Sequence, residues 1–519
     1  MKIIKSIMIT TISMTCCLLC ANPVTRNYTF NFDRNTGGWT TPGYWAGKIK
    51  FVTGNARRGN GSIEVTTTEK RGQFFARGTI FGITHKYLSG QKISISFYVK
   101  GTGEFCAGAL LYGRNGRGGE TMNFVYGDKV QLTDEWQKVE YIVDLSEKFA
   151  ERIAPIFELH GKDAVAYIDD AAFTHIRPQS VSISATSSHV VIPAGSPLPE
   201  LMFNFSGSNA KINFFAIPAD RRQLPVYTSA QSADNGSVAY TGAATFPAGE
   251  VAVVAAAEGR QAFCIAEILP AEEFARWDEL AASIKLDNPL NILVLGDSLS
   301  DLHRGGNHID KLVFWLNKHN PGKVTLRNSA IAGDFITRVE ERLNWRYGKP
   351  DIWRLSDYRN IFARKYDLVF IFLGHNDTVA SSRDNYATPA NVSLADAEAS
   401  YRRVIARIKQ ESPNAKIILV SPVASDVTKS RAVAENMVRW GHAGHIFGLP
   451  EHVTPFLAML QKVAGETGCF YIDLHTPTQN AANRPALFDK SGVHLTPAGN
   501  TLIAWELLRS LAAENSPLK

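Results

Sequence analysis

Residues 292–295 run Ile-Leu-Val-Leu without a polar break, and the run stops at Gly296-Asp297-Ser298. An unbroken apolar run of this length reads as a strand buried on both faces, as in a parallel sheet. The pattern returns at 368–373 and 417–420, with shorter runs at 324–326 and 470–472. Between the runs, 394–411 and 453–465 repeat apolar residues at helical spacing. Strand and helix alternating over 291–519 predict a flavodoxin-like, doubly wound parallel sheet of about five strands. Right-handed crossovers then set the carboxyl ends of all the strands on one rim.

The preceding half of the chain has the other period. Residues 28–32, 92–99 and 139–144 alternate apolar with polar, and glycine and asparagine clusters separate them. This predicts a jelly-roll-like β-sandwich over 22–176. A second set of short strands (181–183, 211–215, 251–254), with turns marked by Pro193, Pro197 and Pro199, predicts a small immunoglobulin-like β domain over 177–270. It carries no visible chemistry and reads as a spacer. Phe274, Trp277 and Leu280 share one face of a linker helix within 271–290.

Composition is distinctive only at the amino terminus. Lys2 and Lys5 precede an apolar stretch over 7–21, followed by Asn22-Pro23. This is the layout of a secretory signal, residues 1–21, and predicts export to the periplasm or the exterior. Lipid anchoring through Cys20 is the alternative, although Leu19 before it suits a lipoprotein cleavage site poorly. No later stretch reaches the ~20 apolar residues of a membrane span. The net charge of +6 is spread along the chain and gives no footprint for nucleic acid. Outside the signal only Cys106, Cys264 and Cys469 remain, far apart, which predicts buried free thiols rather than a disulfide framework.

Four polar stretches fall at the predicted rim. They are Ser298 with Asp297 and Asp301, then 328–333 (Asn-Ser-Ala-Ile-Ala-Gly), 374–377 (Gly-His-Asn-Asp) and 489–494 (Asp-Lys-Ser-Gly-Val-His). Covalent ester hydrolysis needs a nucleophile, a base and donors for the developing oxyanion. Ser298 offers the hydroxyl and His494 the base. The N–H groups of Ser298 and Gly333 and the Asn376 amide offer an oxyanion hole, and Gly333, lacking a Cβ, lets the backbone approach a substrate. Asp297 and Asp301 are expected to brace the loop. No cofactor is required, and no metal either: His442 and His445 stand without a convergent carboxylate set.

Ser298, Gly333, Asn376 and His494, in that order, resemble the landmarks of the SGNH (GDSL) hydrolase family. The resemblance implies a three-layer α/β/α fold and metal-independent acyl-ester hydrolysis. It argues against an ordinary α/β-hydrolase, whose serine sits in a G-x-S-x-G elbow. The family places an aspartate three residues before the histidine, where this chain has Ser491. Asp489 is the expected third catalytic residue; a Ser–His dyad or a carboxylate from elsewhere are the alternatives.

Residues 22–176 resemble the jelly-roll carbohydrate-binding modules of secreted polysaccharide enzymes. The resemblance rests on Phe32-Asp33, Gly38-Trp39, Tyr98-Val99-Lys100-Gly101, Trp136-Gln137-Lys138-Val139 and 166–170. Sugar faces stack on aromatic rings, so Trp39, Tyr44 and Trp45 are candidate platforms, weighed against the commoner burial of tryptophan in a core. Long connections follow two strands. Residues 377–392 read as polar and flexible, and 424–450 offer Trp440 and His442 as substrate-lining candidates. The expected function is an exported serine esterase removing short acyl groups, acetyl foremost, from an acylated carbohydrate. A lysophospholipase or thioesterase acting on lipid acyl groups, and a glycan-binding protein with an inactive hydrolase domain, are the rivals.

Overall fold

The computed structural model describes residues 28–519 apart from 35, 37–38, 42–46, 77–89, 177–180, 208–209, 302–305, 345–357 and 440. The predicted signal with Cys20, and the candidates Tyr44, Trp45 and Trp440, lie outside the described residues.

Residues 28–176 form two six-stranded antiparallel sheets facing one another. Alternate residues of each strand fill the space between, among them Phe74, Phe97, Phe105, Phe157 and Phe173. Trp39 belongs to this core. It is 2% exposed and packs against Phe97, Phe157 and Phe173, so it offers no stacking platform.

Residues 182–269 form a second sandwich, of a three-stranded and a five-stranded sheet. Helix α1 (Ala271–Ala282) follows it. The parallel sheet comprises β1 (Leu290–Gly296), β2 (Val324–Asn328), β3 (Leu368–Phe372), β4 (Lys416–Val420) and β5 (Phe470–Ile472), in the order β2-β1-β3-β4-β5. Helices α2 (His308–His319), α3 (Ile336–Asn344), α4 (Leu394–Glu411), α5 (Val427–Arg439), α6 (Pro450–Thr467) and α7 (Pro497–Ala512) occupy the connections. Two separate apolar clusters cover the two sides of the sheet, one built with α2 and α7, the other with α3, α4 and α6.

Helix α1 presents the expected apolar face to the first of these clusters, with Trp277 stacked on Trp315 of α2 and edge-on to Trp505 of α7. The connection over 377–392, read from sequence as flexible, is tied down: Ala380–Ser381 pairs with His445–Ile446, joining the two long loops in a small antiparallel sheet. No helix among the described residues is long and apolar enough to cross a membrane.

Candidate active site

Strand β1 ends at Gly296, and the chain turns at once, with Ser300 N–H donating to Asp297 O. The Asp297 carboxylate is fully buried and works as a brace. Its Oδ1 accepts from Leu299 N–H at 3.0 Å, and its Oδ2 lies 2.8 Å from His375 Nδ1. His375 Nε2 accepts from Val423 N–H at 3.0 Å, so Nδ1 carries the proton toward Asp297. The turn bearing Ser298 is thereby pinned to the loops beyond β3 and β4.

The second stretch wraps this turn. Ile331 N–H donates to Gly296 O, Asn328 Nδ2 donates to Ser300 O at 2.7 Å, and Ala332 N–H donates to Asp301 Oδ2 at 2.9 Å. Gly333 follows, exposed, with φ +82°, a conformation that favours glycine. In the third stretch, Asp377 is buried and accepts from Gly374 N–H and from Ile336 N–H at the start of α3. The Asn376 amide donates to Asp334 O at 3.0 Å, which sets it beside Gly333 and leaves its second hydrogen for a ligand. The N–H groups of Ser298 and Gly333 have no acceptor among the described residues.

The fourth stretch is a closed loop between β5 and α7. Asp489 N–H donates to His494 O, and Phe488 bridges Leu495. Gly492, at φ +76°, lies against the start of α5, where a Cβ would meet Asp426 O at 2.4 Å. His494 emerges with Nε2 3.1 Å from Ser298 Oγ. Nδ1, on the other side of the ring, lies 3.0 Å from Ser491 Oγ. Asp489 Oδ1 accepts from both the backbone N–H and the hydroxyl of Ser491. Asp489 was expected to meet the imidazole itself; it is the Ser491 hydroxyl that Nδ1 faces, because serine holds the position three residues before the histidine.

The GDSL-like lipase/acylhydrolase family is matched by its family model over residues 294–502, which contain all four stretches. These residues are a GDSL-like lipase/acylhydrolase domain. Among solved structures, a lipase/acylhydrolase from Enterococcus faecalis is 18% identical, over 43% of this chain and 95% of its own, with a TM-score of 0.33. An acetylxylan esterase from Geobacillus stearothermophilus is 21% identical, over 44% and 97%, with a TM-score of 0.31. A xylan-binding domain from Paenibacillus barcinonensis is 20% identical, over 29% and 94%, with a TM-score of 0.24. No curated protein matches the chain.

Around the GDSL domain's serine, several residues escape a reading of motifs. His375 and Ser491 are two. His308 is a third: it is buried on α2, its Nε2 lies 3.1 Å from Ser300 Oγ, and burial pushes it down to about 4. The only hint in sequence was that these polar residues sit within the four stretches or close after them. His442 is exposed at the turn after α5, its N–H bonded to Met437 O. A groove of about 1010 Å³ opens beside α3, α4 and α6, lined by Glu340, Asn391, Arg403 and His452 among others; neither Ser298 nor His494 lines it.

Away from this domain, ligand atoms of Cys106, Glu158 and His160 lie within 4.8 Å of one another on the N-terminal sandwich. Glu158 is already engaged there by His160, Gln73 and Arg71. Burial and the neighbouring Glu158 push the Cys106 thiol up to about 11, so it stays protonated and unreactive at neutral pH.

Proposed function

We propose that the chain is a serine esterase that removes short acyl groups, acetyl foremost, from carbohydrate and acts outside the cytoplasm. The observation that carries the chemistry is Ser298 Oγ at 3.1 Å from His494 Nε2. Ser298 Oγ attacks the acyl carbon as its proton passes to Nε2. Negative charge then develops on the carbonyl oxygen, which the N–H groups of Ser298 and Gly333 and the Asn376 amide receive. The C–O bond to the sugar breaks and the leaving alkoxide takes the proton from Nε2. Water repeats the sequence on the acyl-serine, releasing the carboxylic acid.

The carbohydrate assignment rests on the resemblance of 22–176 to polysaccharide-binding modules, and export on the pattern of residues 1–21. One observation favours a second reading, a lipid acyl hydrolase. Val433, Met437 and Val438 are 41%, 40% and 47% exposed on α5, which begins against the His494 loop.

The test is a series of nitrophenyl esters from acetate to palmitate beside acetylated polysaccharides. Preference for acetate and turnover of the polysaccharide support the first reading; preference for long chains supports the second. Ser298→Ala should lose at least ~10³-fold in kcat and all labelling by a fluorophosphonate, with an unchanged melting temperature. Undiminished turnover by this variant would remove Ser298 from the mechanism.

A further inference from the structure

We propose that Ser491 is a positioning residue, through whose hydroxyl Asp489 acts on His494, making a four-membered relay Ser298–His494–Ser491–Asp489. The inference rests on the reading of His494 as the general base.

Hydrogen placement decides the tautomer of His494. An ionised carboxylate only accepts, so the hydrogen bond between Ser491 Oγ and Asp489 Oδ1 uses the single hydroxyl hydrogen of Ser491. With that hydrogen committed, Ser491 Oγ can present only lone pairs to Nδ1, 3.0 Å away. Nδ1 must then carry the ring hydrogen, which leaves Nε2 with its lone pair toward Ser298 Oγ at 3.1 Å, the state a general base requires. The opposite arrangement, Ser491 donating to Nδ1, would set a bare hydroxyl oxygen against a carboxylate oxygen and turn an N–H toward Ser298. The relay therefore selects the productive tautomer without a carboxylate on the ring.

The surrounding loop fixes these positions. Ser491 Oγ also accepts from His494 N–H at 3.1 Å, Ser491 N–H donates to Asp489 Oδ1 at 2.7 Å, and Asp426 N–H holds Gly492 O at 2.7 Å. One chemical consequence separates this site from one with an aspartate on Nδ1. When His494 takes the proton of Ser298, the compensating charge stands one hydroxyl farther away, so the imidazolium gains less and the imidazole deprotonates at lower pH. The acid limb of the pH–rate profile should lie correspondingly lower.

The experiment is steady-state kinetics of the full chain on nitrophenyl acetate from pH 5 to 9. The variants are Ser491→Ala, Asp489→Asn, the double variant, Ser491→Thr and Ser491→Asp. Ser491→Ala and Asp489→Asn should each lower kcat by ~10²–10³-fold, less than the ~10⁴ of a direct carboxylate, with KM little changed. The double variant should be no worse than either single, because both remove one linkage. Ser491→Thr keeps the hydroxyl and should stay within ~5-fold of wild type, whereas Ser491→Asp should be active with its acid limb moved to higher pH. A large loss in Asp489→Asn with Ser491→Ala near wild type would overturn the relay in favour of direct action by Asp489. Silence of both would leave a dyad. These outcomes differ from failure of the functional reading itself, in which Ser298→Ala retains turnover.

Discussion

At the scale of single residues, the site is made by placing polar groups where water cannot reach them and satisfying each from a fixed direction. Exceptions include the buried Ser329 hydroxyl and, with larger consequence, Asp334. Its carbonyl oxygen holds Asn376 and its Oδ1 meets Arg342 at 2.7 Å, but Oδ2 has no partner among the described residues. Burial outweighs Arg342 and pushes the carboxyl up to about 7. The unfolded chain releases this proton near pH ~4, so between there and 7 the folded state holds a proton the unfolded state lacks. Stability from this group is therefore full at low pH and falls as pH rises, by at most ~1.4 kcal/mol per pH unit. His308, pushed down to about 4, works in the opposite sense, so the comparison must be against Asp334→Asn at each pH. Urea denaturation should show Asp334→Asn gaining on wild type from pH 5 to 7 and levelling above. A constant difference across that range would mean Asp334 is ionised throughout.

Among elements, α2 couples the second sandwich to the catalytic turn. Lys311, 1% exposed, meets Glu267 at 2.6 Å and Glu250 at 3.2 Å, and donates to Thr501 on α7. The preceding residue, Asp310, accepts from Ser188, and one turn earlier Asn307 caps the helix while its amide donates to Ser300 O. The segment read as a spacer thus supplies carboxylates that neutralise a buried cation beside the site. Lys311→Ala leaves Glu267 and Glu250 facing each other without their cation and should cost about 3–5 kcal/mol in denaturation. Lys311→Met with Glu267→Gln removes both charges and should recover much of that loss. Equal loss in both variants would mean the contribution of Lys311 is packing rather than charge.

For the whole molecule, contacts run from each folded part to the next. Lys92 meets Glu258, Arg221 meets Glu151, and Arg114 donates to Pro218 O, joining the first sandwich to the second. The second shares an apolar cluster with the catalytic domain through Val191 and Leu269. Removing residues 22–176 should leave hydrolysis of nitrophenyl acetate within about 3-fold of wild type while lowering activity on insoluble acetylated polysaccharide, if the first sandwich raises local concentration. Removing residues 22–290 should yield insoluble protein, because it strips α1 and its tryptophan from the core and leaves Lys311 unpaired. A soluble, active product from the longer deletion would show that the catalytic domain folds without these contacts.

What the sequence alone determined was the type and order of elements and the four polar stretches at one rim. Periodicity and turn residues act over a few neighbours, and a parallel sheet with right-handed crossovers brings strand ends together whatever the rest of the chain does. Ser298 and His494, 196 residues apart, were legible together for that reason. Choices between faces and between nearby partners were settled by tertiary contacts. Trp39 could have lined a groove or filled a core, and the rings of Phe30, Phe97, Phe157 and Phe173 drew it inside. Lys311 reads as an ordinary surface residue of an amphipathic helix until two carboxylates arrive from another sheet. Asp489 and Ser491, two residues apart, compete for one imidazole nitrogen. The loop closure between Asp489 and His494 and the seat of Gly492 against α5 set which reaches it, and these depend on backbone contacts that no pattern of side chains encodes.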